Sequence, residues 1–326
     1  QYKVDAFCAS AERSEVCLAA MDLVEKYKKI HMIPSAKSPL ITKRVEDDYS
    51  KYKYNFRTTL NSTYLADFTA QQFLMIEKQF PGFNTVYFIS EDAAWAKATV
   101  AGLKPVLEKA GWKILGDEYA PLGATDYSMA LVKARTSGAK ILGIMFSNPE
   151  AGILIEQAYT MQLPALIVGM ASPIVGPGSW DLYKGRIEYA CLSVSEIGNV
   201  PLKTYPPSVK FYEAYQKRWN RPVEIDSVPA PSYDAVYVLA KAIERAGSLD
   251  TEKLITALEA TDHEGAIGRI RFDKKNHQTV YGLNPKETAC AALVQWQKPG
   301  TRVVVWPVEA ADGKIQLPPW MAPATK

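Results

Sequence analysis

Tyr233-Asp-Ala-Val-Tyr-Val-Leu-Ala-Lys-Ala-Ile-Glu-Arg-Ala-Gly-Ser-Leu-Asp250 decides the reading of this chain when taken with Gly268-Arg-Ile-Arg-Phe-Asp273 downstream. The first stretch reads as an amphipathic helix. Ala235, Val236, Leu239, Ala240 and Ile243 recur at i, i+3, i+4 spacing and define one apolar face. Gly247 stands where the helix should stop, since glycine enters the left-handed region with no Cβ penalty. Ser248 or Asp250 then caps a second helix, whose apolar positions are Leu254, Ile255 and Leu258. Ile270 to Phe272 reads as a short strand. None of these side chains is chemical machinery. They specify how a chain packs.

Length and composition bound the rest. A chain of 326 residues is too long for one core and implies two domains. Hydrophobic content of 48% and charged content of 22% are those of an ordinary globular protein. The net charge is +3, with basic and acidic residues interleaved, so no nucleic-acid stripe is present. Lys26 to Lys29 reads as the solvated end of a helix. No apolar run approaches the roughly 20 residues that span a bilayer. No segment reads as a signal peptide, which an exported protein loses on cleavage. Cys8, Cys17, Cys191 and Cys290 lack CxxC spacing, and His31, His263 and His277 lie far apart, so no metal site is expected.

Along the chain, strand and helix alternate. Lys3 to Cys8 reads as a strand, followed by a helix over 12–28 with Val16, Ala19, Ala20, Leu23 and Val24 inward. Strands follow over 30–33, 85–89, 112–119, 141–146 and 165–168. Helices cover 63–80, 94–110, 127–137 (capped by Thr125 or Asp126) and 151–161. This order argues for α/β architecture with parallel sheets covered on both faces.

The Tyr233–Asp250 stretch resembles the C-terminal half of the type I periplasmic binding proteins of the branched-chain amino acid transport family. Tyr119-Ala-Pro-Leu-Gly-Ala-Thr-Asp-Tyr-Ser128, Val294-Gln-Trp-Gln297 and Arg302-Val-Val-Val-Trp-Pro307 extend the match across nearly the whole chain. The resemblance implies a two-lobed fold, each lobe an open parallel sheet flanked by helices. Lobe one would hold residues 1–58 and 198–288, and lobe two 62–194 and 291–326, with hinge crossings near 57–61, 193–199 and 289–295. The ligand would sit between the lobes beside the carboxyl ends of the strands. Family members carry about two further strand–helix units before the stretch matching Lys3 to Cys8. Either this chain is a fragment or another segment fills that place.

No enzyme motif appears: there is no GxGxxG, GxxxxGK[ST] or GxSxG. Gly176-Pro-Gly178 reads as a loop, and Glu91 with Asp92 as acids favoured near a helix N-terminus. Cys8, before a helix, is a conceivable low-pKa thiol without a nearby histidine. Binding needs less: strand-end loops with free N–H groups and small hydroxyls. Cys8-Ala-Ser-Ala11, Pro34-Ser-Ala-Lys-Ser-Pro39 and Ser232-Tyr233 supply these in the first lobe. Ser90 to Trp95, Phe146-Ser-Asn148 and Gly169-Met-Ala-Ser172 supply them in the second. The resemblance places ligand contacts at Ser10, Ser35, Ala36, Lys37, Trp95, Phe146, Ser147, Ala171 and Ser172. The family's hydroxyl position in the second loop holds Lys37, and the aromatic of the 146–148 loop is Phe146 or is lost to Ser147.

The family's acid in the 169–172 loop, the partner of an α-ammonium, is absent here. A buried ammonium without an anion is strongly disfavoured. An organic acid, aromatic in one version, is therefore expected over leucine or valine, unless Glu91, Asp92 or Glu196 supplies the anion. The expected function is capture of a small molecule by an exported, monomeric solute-binding protein. It would deliver its ligand to the permease of an ABC transporter, with no cofactor and no covalent chemistry. A sensing module of the same fold is the alternative, and an α/β enzyme the second alternative. In part of the family a cysteine at the Cys8 position pairs with one in the segment missing here. A bridge between Cys191 and Cys290 is the other pairing considered.

Overall fold

A computed structural model describes residues 4–8 and 12–321. The chain opens with β1 (Ala6–Cys8), α1 (Ser14–Tyr27), β2 (Ile30–Ile33), α2 (Pro39–Asp47), α3 (Tyr49–Tyr52) and β3 (Asn55–Arg57). It continues through α4 (Ser62–Gln79), β4 (Thr85–Glu91), α5 (Ala94–Lys109), β5 (Lys113–Ala120), α6 (Ser128–Ser137), β6 (Ile141–Phe146) and α7 (Glu150–Thr160). Then come β7 (Leu166–Ala171), α8 (Ser179–Leu182), β8 (Cys191–Val194), α9 (Pro206–Trp219), α10 (Pro229–Ala246) and α11 (Thr251–Glu259). Short strands close the chain: β9 (His263–Gly265), β10 (Gly268–Ile270), β11 (Tyr281–Gly282), β12 (Ala289–Cys290), β13 (Ala292–Gln297) and β14 (Thr301–Trp306). No helix among the described residues is long and apolar enough to cross a membrane.

The contacts divide the chain into two compact units. The first holds residues 1–64, 195–223 and 227–291; the second holds 65–194, 224–226 and 292–326. The second unit is one seven-stranded sheet in the order β14-β13-β8-β7-β6-β4-β5. Its strands run parallel from β5 to β8, and β13 and β14 then add antiparallel pairs. β6 and β7 are buried along their whole length, as parallel strands covered on both faces must be. Gly169 in β7 is required by this packing. Its φ is +144°, and a Cβ there would meet the Ile144 carbonyl oxygen at 2.0 Å.

The first unit has two small sheets, β1-β2-β3 and β11-β12-β10-β9. The first is parallel, the second mostly antiparallel. They are joined where residues 277–279 run beside β3, with Arg57 N–H donating to His277 O at 3.0 Å and Thr279 N–H to Arg57 O at 3.0 Å. Gly247 caps α10 in the left-handed region (φ 57°), and Asp250 caps α11 by accepting from Lys253 N–H.

Two helix faces differ from the sequence expectation. On α10 the buried positions are Ala230, Pro231, Asp234, Ala235, Val238 and Ala242, whereas Val236 is 54% exposed. A carboxylate sits in the centre of the inward face, which apolar periodicity cannot register. Asp234 accepts from the backbone N–H groups of Ala266 (2.9 Å) and Ile267 (3.0 Å) and so ties α10 to the β9–β10 turn. On α1 the buried set is Ser14, Cys17, Met21 and Val24, and Val16 and Leu23 face outward. The strand expected over 270–272 forms instead at Gly268–Ile270. All four cysteines are free thiols, so the bridge considered between Cys191 and Cys290 is not formed.

Candidate functional site

In the second unit, parallel strands end at one edge of the sheet, and their last residues carry the polar groups. β4 ends in Glu91, which is only 3% exposed. Four donors surround its carboxylate. Oε1 accepts from Trp95 Nε1 at 2.6 Å and Ser147 Oγ at 2.7 Å. Oε2 accepts from Ser147 N–H and Asn148 Nδ2, both at 2.8 Å. Four short hydrogen bonds to one carboxylate hold it firmly. Trp95 and Ser147, both expected as ligand contacts, are thus fixed by one acid. Glu91 was anticipated only as an acid near a helix start or a substitute anion. Its position at a strand end, four residues before a tryptophan, was the available signal.

Phe146, by contrast, is 1% exposed and packs edge-on against Tyr127 at 6.0 Å. The expected loop over 169–172 is mostly strand: Gly169, Met170 and Ala171 belong to β7, and Ser172 begins a short 3-10 turn. The apolar run simply continues three residues further than read. Ala171 is fully buried and Ser172 nearly so. The Ser172 hydroxyl donates to the Asp226 carboxylate, and Asp226 is itself fully buried. Asp226 belongs to the three-residue segment 224–226 that groups with the second unit, while its sequence neighbours group with the first. Nothing local in the sequence flags that excursion. Two residues later, Val228 has φ 83° and ψ −62°. This is a strained turn for a β-branched residue, a conformation that persists only where surrounding structure enforces it.

In the first unit, Ser35, Ala36 and Lys37 follow β2. Ser35 Oγ accepts from Glu12 N–H at 2.9 Å and donates to Glu12 O at 3.2 Å. Ala36 is buried, and its carbonyl accepts from Arg57 Nη1 at 3.2 Å. Lys37 is also buried, with Nζ 3.5 Å from Thr59 Oγ1. The Thr59 hydroxyl donates in turn to Glu196 Oε1 at 2.7 Å. The Thr59 hydroxyl thus stands between Lys37 and Glu196. Ser10 lies outside the described residues. Cys8 is exposed, and partial burial raises its thiol pKa, against the low-pKa thiol considered from sequence.

Residues 1–301 match the family model described as periplasmic binding protein. The leucine-, isoleucine-, valine-, threonine- and alanine-binding protein of Pseudomonas aeruginosa is 25% identical over 290 residues, covering 88% of this chain and 70% of that one. An amino acid ABC transporter substrate-binding protein from Pseudomonas fluorescens superposes with a TM-score of 0.74 at 17% identity, covering 96% of this chain and 78% of the other. A solute-binding protein of an ABC transporter from R. palustris, in complex with benzoate, gives 0.72 at 14% identity, with 90% and 74% covered. The two solved structures speak for the fold alone. The family match spans most of the chain, and the alternation of strand and helix in both units agrees with it. The chain belongs to the periplasmic binding protein family, in its type I branched-chain amino acid branch.

Proposed function

We propose that this protein captures a small α-amino acid in the periplasm for the permease of an ABC importer. It acts as a monomer and does no covalent chemistry. The candidate contacts in the first unit are Ser35, Ala36 and Lys37, and those in the second are Trp95, Ser147 and Ser172. Asp226 is the observation that carries the reading. The organic-acid expectation rested on a missing counter-charge for the α-ammonium, and the buried Asp226 carboxylate, which accepts from the Ser172 hydroxyl, is a candidate for that role. Its second support was a surplus positive charge at Lys37, and an acid, Glu196, lies on the far side of the Thr59 hydroxyl that Lys37 approaches. The P. aeruginosa relative, a binder of five neutral amino acids by its name, agrees with this choice.

Titration with matched pairs tests it: leucine against its keto acid, and phenylalanine against phenylpyruvate. The amine-bearing member of at least one pair should bind more tightly. Ligand at 100 times Kd should add about 2.7 kcal/mol of stability, visible as a thermal shift. Asp226→Asn should weaken the amino acid by about 2 kcal/mol or more and leave the keto acid nearly unchanged. Tighter binding of both keto acids would return the reading to an organic acid.

A further inference from the structure

Glu12, Cys17 and His31 bring one carboxylate oxygen, one thiol sulfur and one imidazole nitrogen within 4.8 Å of one another in the first unit. We propose that these three side chains form a binding site for a divalent transition-metal ion, zinc being the best fit. The donors come from three places: the segment before α1, the first turns of α1, and β2.

The geometry of the histidine carries the argument. Its Nδ1 lies 3.0 Å from Asn55 Oδ1. The same amide donates through Nδ2 to Tyr52 O at 2.9 Å, which fixes the oxygen toward the ring. Nδ1 therefore carries the hydrogen, and the Nε2 position faces Glu12 Oε1 at 3.4 Å. That separation is long for a charge-assisted hydrogen bond, which runs at about 2.7–2.9 Å. It does match the spacing of two ligands about 2.1 Å from a tetrahedral ion, which stand about 3.4 Å apart. Glu12 Oε1 is buried and accepts no hydrogen bond. Asn55 is then the outer partner that orients a metal-bound imidazole, as such sites require.

Burial and the Glu12 carboxylate raise the Cys17 thiol pKa in the metal-free protein, so the ion itself must displace that proton. A divalent ion with one thiolate, one carboxylate and one neutral imidazole forms a neutral cluster, once Cys17 gives its proton to solvent. Such a cluster suits the setting, because Cys17 packs with Met21, Ile33, Ala36, Ile41 and Val45. The Glu12 side chain retains 13% exposure, so the ion has a route in, and a solvent molecule can fill the fourth position. The mixed sulfur, nitrogen and oxygen set favours zinc over calcium or magnesium. Glu12 is also bonded through its backbone to Ser35. A bound ion would therefore brace the loop that carries Ser35, Ala36 and Lys37 without being part of the solute site.

The test uses the purified full chain, stripped with chelator and titrated with Co2+ and then Zn2+. One equivalent of Co2+ should give a thiolate-to-cobalt charge-transfer band in the near ultraviolet, and one equivalent of Zn2+ should bleach it. Glu12→Gln, a partly exposed position, should weaken zinc binding at least tenfold while leaving the far-ultraviolet circular dichroism unchanged. Asn55→Ala should weaken it by about 10- to 100-fold. No cobalt–thiolate band in the unaltered protein overturns the site. So does zinc affinity that Glu12→Gln leaves unchanged, which would place the metal elsewhere. Neither readout depends on which solute the protein binds.

Discussion

The second unit is built on one broad sheet, and the first on two narrow ones. The central strands of the second, β4, β6, β7, β8 and β13, are buried almost throughout, as at Val86, Ile144, Val168 and Val294, while the edge strand β5 is half-exposed. Two of its buried carboxylates, Glu91 and Asp226, lie at or beside strand ends. The first unit has only three- and four-stranded sheets, so less of its interior can be apolar. Its buried charges lie inside. Arg57 is 1% exposed and spends its guanidinium on Gln278 Oε1 (2.7 Å), Ser38 O (2.7 Å), Ala36 O (3.2 Å) and Thr42 Oγ1 (3.1 Å). Burial lowers its pKa to about 9. Asp234 pins α10 to the turn at Ala266 and Ile267 in the same way. Where a sheet cannot close a core, directional bonds between segments distant in sequence do so.

Replacing Arg57 breaks that comparison most sharply. Arg57→Met removes the donor from Ala36 O, Thr42 Oγ1 and Gln278 Oε1, while Ser38 O keeps the Ile41 N–H. Each orphaned acceptor costs about 1–3 kcal/mol, so a loss of at least 3 kcal/mol is expected in urea denaturation. Glu91→Gln in the second unit should cost less, about 1–3 kcal/mol, because the amide keeps one acceptor and the sheet beneath is apolar. It should also loosen Trp95, which tryptophan fluorescence would report. If Glu91→Gln cost more than Arg57→Met, the first unit would not depend on its internal polar bonds in the way described.

The same contrast explains what could be read from sequence. Strands of the second unit announce themselves as apolar runs, and Ile141–Phe146 was read at its observed bounds. Periodicity failed where a polar residue occupies a buried helix position, as Asp234 and Ser14 do. The site divided similarly. Trp95 and Ser147 could be singled out because they follow strand ends, and both donate to Glu91. The bond of Asp226 to Ser172 was not legible, because it depends on three residues that group with the second unit while their sequence neighbours group with the first. The Glu12–Cys17–His31 group escaped for a related reason. Metal motifs are sought as local spacings, and here β2 returns His31 beside α1.

The pH dependence of the first unit sharpens the comparison last and most finely. Burial raises the Asp234 carboxyl to about 7, with the two backbone N–H donors pulling it partly back. Its unfolded pKa is about 3.9. Between about pH 4 and 7 the folded state therefore holds a proton that the unfolded chain has lost. Stability from this group is full below pH 4 and falls as the pH rises through 7, at most about 1.4 kcal/mol per pH unit. His263 runs the other way. Burial, and then the Lys241 ammonium 3.0 Å from Nδ1, lower it to about 4. Over about pH 4 to 6.5 the unfolded chain binds a proton that folded His263 refuses, so stability from this group rises with pH. The two slopes oppose each other across the same window. Asp234→Asn should remove one and leave a melting temperature that climbs more steeply from pH 4.5 to 6.5 than the unaltered protein's. His263→Gln should tilt the profile downward instead. Hydrogen exchange at the amides of Ala266 and Ile267 localises the effect, since both should lose protection in Asp234→Asn. Parallel pH profiles for all three proteins would mean that neither buried group titrates in the window their burial sets.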